Sequence, residues 1–252
     1  MSALAVWVTA AALAGPVKLT AADGVKLAGD EFGAGAKGVL LVHDEGRTRA
    51  DWTSFAGKLA SSGFHVVTLD LRGHGGSPLP TPLAETDWPK LVADVDAGVA
   101  YLKSRGATEV HVVAARTGAT LALTSAAANA DVSDLVMLTP ALTAHGMRLS
   151  TAIGAYAGRP LMVAASADDP LAVKTADWLG TQATGPKRVD KFPAAGTGAV
   201  MLNKVPDLEN LVTAWMNGAF KAPLAAVAED RLKASELEEI ETTGTRLEDR
   251  NR

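Results

Sequence analysis

Position 116 is where chemistry in this chain would have to begin. The segment Val110-His111-Val112-Val113-Ala114-Ala115-Arg116-Thr117-Gly118-Ala119 reads as a buried strand, a tight turn of small residues and the start of a helix. Turns of this kind push one small nucleophile, usually a hydroxyl, toward an acyl carbon. Arg116 cannot take that part: a guanidinium has no lone pair to offer and stays protonated at any working pH. If the register slips by one residue, Thr117 becomes the candidate hydroxyl, although a β-branched side chain fits poorly where the backbone must turn left-handed. The same turn suits another use. Free N–H groups and the positive dipole end of the helix starting near Thr117 favour an anion, and Arg116 adds a fixed charge there.

A nucleophile needs a proton acceptor, and the chain has five histidines. His65 and His111 stand at strand starts and His74 in a glycine-rich turn, where structural roles are expected. No two histidines have metal-ligand spacing and no carboxylate cluster accompanies one, so neither a metal nor a cofactor is expected. The absence of cysteine excludes disulfides, thiolate metal sites and cysteine nucleophiles.

The elements that must hold these residues alternate. Strand-like apolar runs occur at Gly38 to Val42, His65 to Leu69, Val110 to Val113, Leu135 to Leu138, Leu161 to Ala165 and Arg188 to Phe192. Helix-like stretches lie near Asp51 to Ser62, Trp88 to Ser104, Thr117 to Ala128, Pro170 to Leu179 and Leu208 to Ala219. This order predicts an α/β fold, a mostly parallel sheet with helices on both faces. Before it, Ala22-Asp23-Gly24 marks a turn within Val17 to Phe32, which predicts an antiparallel hairpin at the sheet edge.

With 252 residues, 48% of them hydrophobic, the chain can bury the core of one large domain, placed at 15–220. A net charge of -4 provides no basic face for a nucleic acid, which is not expected as a partner. Residues 1–14 form an apolar run ending in Ala12-Leu13-Ala14, a candidate signal peptide that implies a periplasmic or secreted protein. The run lacks the usual positive start, so a first strand or helix of a cytoplasmic domain stays open as the alternative. It is too short to span a membrane, which takes about 20 apolar residues. Residues 221–252 read as a charged helix and polar tail, either a solvated appendage or, through Leu224, Val227, Leu232 and Leu237, a docking stripe.

Four further motifs complete the picture: Leu40-Leu41-Val42-His43 followed by Trp52; Asp70-Leu71-Arg72-Gly73-His74-Gly75-Gly76-Ser77; Arg159-Pro160-Leu161-Met162-Val163 followed by Asp168-Asp169-Pro170; and Phe192-Pro193-Ala194-Ala195-Gly196-Thr197-Gly198. Together with the turn at 116 they resemble the alpha/beta-hydrolase superfamily, in particular its dienelactone-hydrolase-like and esterase-like members, over roughly Val17 to Phe220. The resemblance implies a Ser-His-Asp triad and an oxyanion-binding loop. Carried over by position, the serine is Arg116, the histidine is Thr197 and the acid survives as Asp169. Asp44 follows His43 where the family prefers glycine, and its charge would oppose a developing oxyanion. His145 falls in a stretch that forms part of the pocket rim in the family. The implied molecule is a non-catalytic homologue acting as a binding or interaction scaffold for a small anion or a protein. Its ligand-binding candidates are His43, Arg116, Thr117, His145 and Asp169. The alternative is an ester or lactone hydrolase with a non-standard active site. Loss of the histidine leaves Asp169 without its usual partner, and an extended Arg116 is expected to reach it and plug the floor of the pocket.

Overall fold

Continuous apolar runs become the inner strands of an eight-stranded sheet in the computed structural model, which describes residues 15–221. The strands are β1 (Gly15–Thr20), β2 (Lys26–Phe32), β3 (Lys37–Val42), β4 (His65–Leu69), β5 (Glu109–Ala115), β6 (Val132–Leu138), β9 (Leu161–Ser166) and β10 (Lys187–Phe192). They lie in the order β1-β2-β4-β3-β5-β6-β9-β10. β1 and β2 form the expected edge hairpin, and β2 meets β4 antiparallel, whereas every later pairing is parallel. The candidate signal peptide and the charged segment beyond Lys221 lie outside the described residues.

Helices cover both faces, which is why the inner strands are apolar on both sides. Leu40 and Val42 of β3 face one core with Val95 and Val99 of α2 (Val92–Ser104), Leu121 of α3 (Thr117–Ala128) and Leu179 of α5 (Pro170–Gln182). Val39 and Leu41 face the other, with Phe55 and Leu59 of α1 (Thr53–Ser61) and Val212 and Trp215 of α7 (Leu208–Met216). α3 is buried along nearly its whole length, as expected of a helix apolar on every side.

Several boundaries differ from those read in the sequence. The first helix is split into a 3-10 turn (Arg49–Trp52) and α1. Glu85–Leu91 forms a 3-10 helix containing Pro89, so α2 begins four residues after Trp88. α5 runs on to Gln182, and α7 stops at Met216, just before Gly218 turns left-handed at φ +90°. Four small elements were not anticipated: the two-residue strands β7 (Thr143–Ala144) and β8 (Met147–Arg148), α4 (Leu149–Tyr156) and α6 (Val200–Lys204).

Strand order reverses between β3 and β5. From β3 the chain moves to β4 on one side, and from β5 it moves to β6, β9 and β10 on the other. Loops leaving the carboxyl ends of two such strands diverge and open a crevice between them. Here those loops begin with His43-Asp44 and with Arg116.

Candidate functional site

Arg116 is the turn residue between β5 and α3, with φ +45° and ψ -112°. Non-glycine residues rarely adopt this conformation, which places Arg116, and not Thr117, at the point of the strained elbow. Thr117 is the first residue of α3 and is buried. The register in which Thr117 stands at the tip is therefore not the one the backbone adopts.

The guanidinium of Arg116 reaches the acid. Its Nη1 lies 2.5 Å from Oδ2 of Asp169, forming the ion pair expected from the sequence. Asp169 caps α5, its Oδ1 accepting the Ala172 N–H at 3.0 Å ahead of Pro170. Burial would raise the Asp169 pKa, but the Ala172 N–H and Arg116 together hold it below the ordinary carboxylate value.

A second carboxylate closes the floor from the other side. Oδ2 of Asp44 lies 3.2 Å from Arg116 Nε, and its Oδ1 accepts the backbone N–H of Thr117 at 3.1 Å. In a working elbow, the N–H of the residue after the nucleophile is one of the two donors that receive the oxyanion. Asp44 therefore does more than oppose an oxyanion, because its own oxygen sits where one would bind. Burial pushes the Asp44 carboxyl up, against the pull of the Thr117 and Glu45 N–H groups and of Arg116.

The loop carrying Thr197 completes the wall. A side chain added at Gly198 would come within about 4 Å of the Arg116 side chain, so this loop sits directly beside the elbow. It is pinned by Gly198 N–H donating to Thr139 Oγ1 at 2.7 Å and Gly196 N–H donating to Asp168 Oδ2 at 2.7 Å. The paired aspartates thus divide their tasks: Asp168 ties the two loops together and Asp169 faces Arg116. Between the loops remains a cleft of about 150 Å³ bordered by Asp44, Arg47, Asp51, Thr197 and Val200. Pockets for drug-sized ligands hold about 300–1,000 Å³.

The histidines are engaged elsewhere. His43 borders the cleft, but its Nδ1 bonds the Asp44 carbonyl at 2.7 Å and its Nε2 accepts the Leu71 N–H at 3.0 Å. Burial holds its pKa down at about 4, so the ring is neutral and neither nitrogen is left for a ligand. His65 pairs with Glu31 and His111 with Asp134, both toward the amino ends of their strands and away from Arg116. His145 stands beside the Asp44 loop, held between Glu45 and Glu85, partners that nothing in the sequence pointed to. Among the described residues no group of three or more potential ligands could hold a metal ion, and no helix is long and apolar enough to cross a membrane.

The glycine-rich motif proves to be scaffolding. Asp70 accepts from the backbone N–H groups of Arg49 and Gly76 and pairs with the Arg49 guanidinium. Arg72 is clamped between Asp94 and Asp23, and Ser77 bridges the Asp70 carbonyl and the Ala28 N–H. A turn so heavily bonded fixes the end of β4 beside β3.

The reversed strand order, the strained elbow at its switch point and the facing acid turn define a protein of the hydrolase fold built around a strand-turn-helix elbow. Residues 39–242 match the model of the Alpha/beta hydrolase family, and the chain belongs to that family. Solved structures agree in fold. An esterase of Pyrococcus furiosus superposes with a TM-score of 0.69 at 17% identity, covering 82% of this chain and 91% of that one. A dienelactone hydrolase of Anabaena variabilis gives 0.63 at 18% identity, over 81% of this chain and 94% of that one. Epoxide hydrolase A of Mycobacterium tuberculosis is 35% identical over 79 residues, 31% of this chain. That stretch spans only 24% of the relative's length.

Proposed function

We propose that this chain is a non-catalytic member of its family, a binding or interaction scaffold whose catalytic floor is filled by an aspartate, an arginine and a second aspartate. The observation that carries this reading is the placement of Arg116 at the elbow between Asp44 and Asp169. Acyl transfer needs an attacking atom, a base to take its proton and two free donors for the oxyanion. At the corresponding places stand a guanidinium, the hydroxyl of Thr197 and an N–H already bonded to Asp44. Groups that act as a unit in such a site lose activity together, and single losses cost several orders of magnitude in rate.

The same network bears on the partner. Arg116 already faces two carboxylates and the first N–H of α3 is taken, so a free small anion finds little left to bind. A protein partner suits this site better. The competing reading, an ester or lactone hydrolase acting through Thr117, has the fold of its esterase neighbours in its favour. It requires the Thr117 hydroxyl to act from a buried helical position beside a carboxylate.

Full-length protein exposed to p-nitrophenyl acetate and to a fluorophosphonate probe decides between them. The scaffold reading expects hydrolysis no faster than in buffer with denatured protein and no covalent label. Stoichiometric labelling of any side chain on this floor would overturn it.

A further inference from the structure

A small hairpin is fastened to the loop that carries Asp44. β7 and β8 form this antiparallel hairpin, whose two-residue turn is His145-Gly146, with φ +48° and +76°. Two successive left-handed residues are the mark of a type I′ turn. The ring of His145 lies flat on Trp88, 3.8 Å between centroids and 5° from parallel. Its Nδ1 is 2.9 Å from Glu85 and its Nε2 is 2.8 Å from Glu45. The hairpin is thus tied at one point to the 3-10 helix and to the residue that follows Asp44.

We infer that His145 is a proton-dependent latch, fastening its hairpin to the Asp44 loop while the ring is charged and releasing it when the ring is neutral. An imidazolium donates from both nitrogens, so both carboxylates are served. A neutral ring has one N–H, and its other nitrogen must then turn a lone pair toward a carboxylate oxygen less than 3 Å away. One contact has to open. Glu45 and Glu85 are 49% and 72% exposed, so water readily solvates whichever is released.

What the latch sets is how firmly the hairpin is held against the loop that carries Asp44. The hairpin is anchored beside α3, where Thr120 Oγ1 donates to the Ala141 carbonyl at 3.2 Å, and Glu45 follows the residue that occupies the Thr117 N–H. Charged groups facing His145 come from two elements, Glu45 from the loop after β3 and Glu85 from the 3-10 helix. Behind Trp88 the next ring is His74, which meets the indole edge-on at 5.9 Å. The two glutamates raise the His145 pKa above its ordinary 6.5 despite partial burial. The latch is therefore fully closed below about pH 6.5 and is lost as pH rises through the raised value. It rests on the scaffold reading for its purpose, since Glu45 follows the aspartate that fills the floor.

The test is a carbon-proton NMR titration of the His145 ring in the full chain, paired with deuterium exchange of the amides at 143–148 and 44–47. Wild type should titrate above 6.5, and Glu45→Gln and Glu85→Gln should each lower the midpoint, the pair returning it to about 6.5 or below. Exchange at both segments, corrected for intrinsic base catalysis, should accelerate as pH rises across the midpoint. In the double variant it should be fast at every pH. A wild-type midpoint at or below the ordinary value would overturn the latch. So would exchange that ignores the titration, and both readings are made on wild type alone if a variant fails to fold. No hydrolysis is measured, so ester turnover would sink the scaffold reading and leave this result standing.

Discussion

Replacing Arg116 with alanine removes the cation between Asp44 and Asp169 while leaving both carboxylates in place. In a dry interior, breaking one partner of such a pair costs about 3–5 kcal/mol. The site is wetter than that: the Arg116 side chain is 36% exposed, Asp44 21% and Asp169 18%. Exposed pairs contribute about 0–1 kcal/mol, so screening reduces the expected loss to about 1–2 kcal/mol at neutral pH. For a domain of this size, that lowers Tm by roughly 2–8 °C. The sign with pH follows from Asp169, whose folded pKa is held below its ordinary 3.8. Its contribution is present above that value and lost as pH falls through the depressed one, so the deficit of Arg116→Ala should shrink toward pH 3. Alanine also inherits a backbone at φ +45°, which glycine tolerates, so Arg116→Gly should be less harmful by about 1 kcal/mol. Thermal and urea unfolding of the three proteins across a pH series measures all of this. An unchanged Tm at neutral pH, or a deficit that persists undiminished in acid, would refute the assignment of Arg116 as the charge holding the floor together.

Two further outcomes follow from other parts of the fold. His43 stays neutral in the folded chain down to about pH 4 but takes up a proton near 6.5 once unfolded, so wild type should lose about 3 kcal/mol of stability between those values. Urea midpoints over that range should slope less for His43→Gln by one proton's worth. Gly75 sits at φ +49° with the Asp70 carboxylate packed where a Cβ would go, so Gly75→Ala should cost at least about 3 kcal/mol or prevent folding, read as loss of the cooperative urea transition.

Most of the sheet could be read from the sequence because parallel strands covered on both sides are unbroken apolar runs, as at Leu40-Leu41-Val42 and Val110 to Val113. The elbow and the acid were legible for a different reason. Each lies immediately after a strand, so Arg116 and Asp169 inherit their positions from the topology. Partners that meet only through the fold were not legible: Glu45 and Glu85 stand 100 and 60 residues from His145. β7 and β8 have two residues each, too few for an alternating pattern, and α4 is a short apolar helix that periodicity does not separate from a strand. Asp44 shows a subtler gap. Its charge was evident from the sequence, but the N–H it would bond depended on how α3 begins.

The bent backbone at residue 116 holds a guanidinium at its tip. β5 fixes the strand before it and α3, wedged so closely that a Cβ on Gly118 would strike the His43 carbonyl, fixes the helix after it. Whatever amino acid is placed at 116 will be held up at the same angle. Because the chain contains no cysteine, Arg116→Cys would create a single thiol at a helix start, where thiolates are favoured. The elbow would thereby become an attachment point for one spectroscopic label, positioned to sense anything that comes to rest on it.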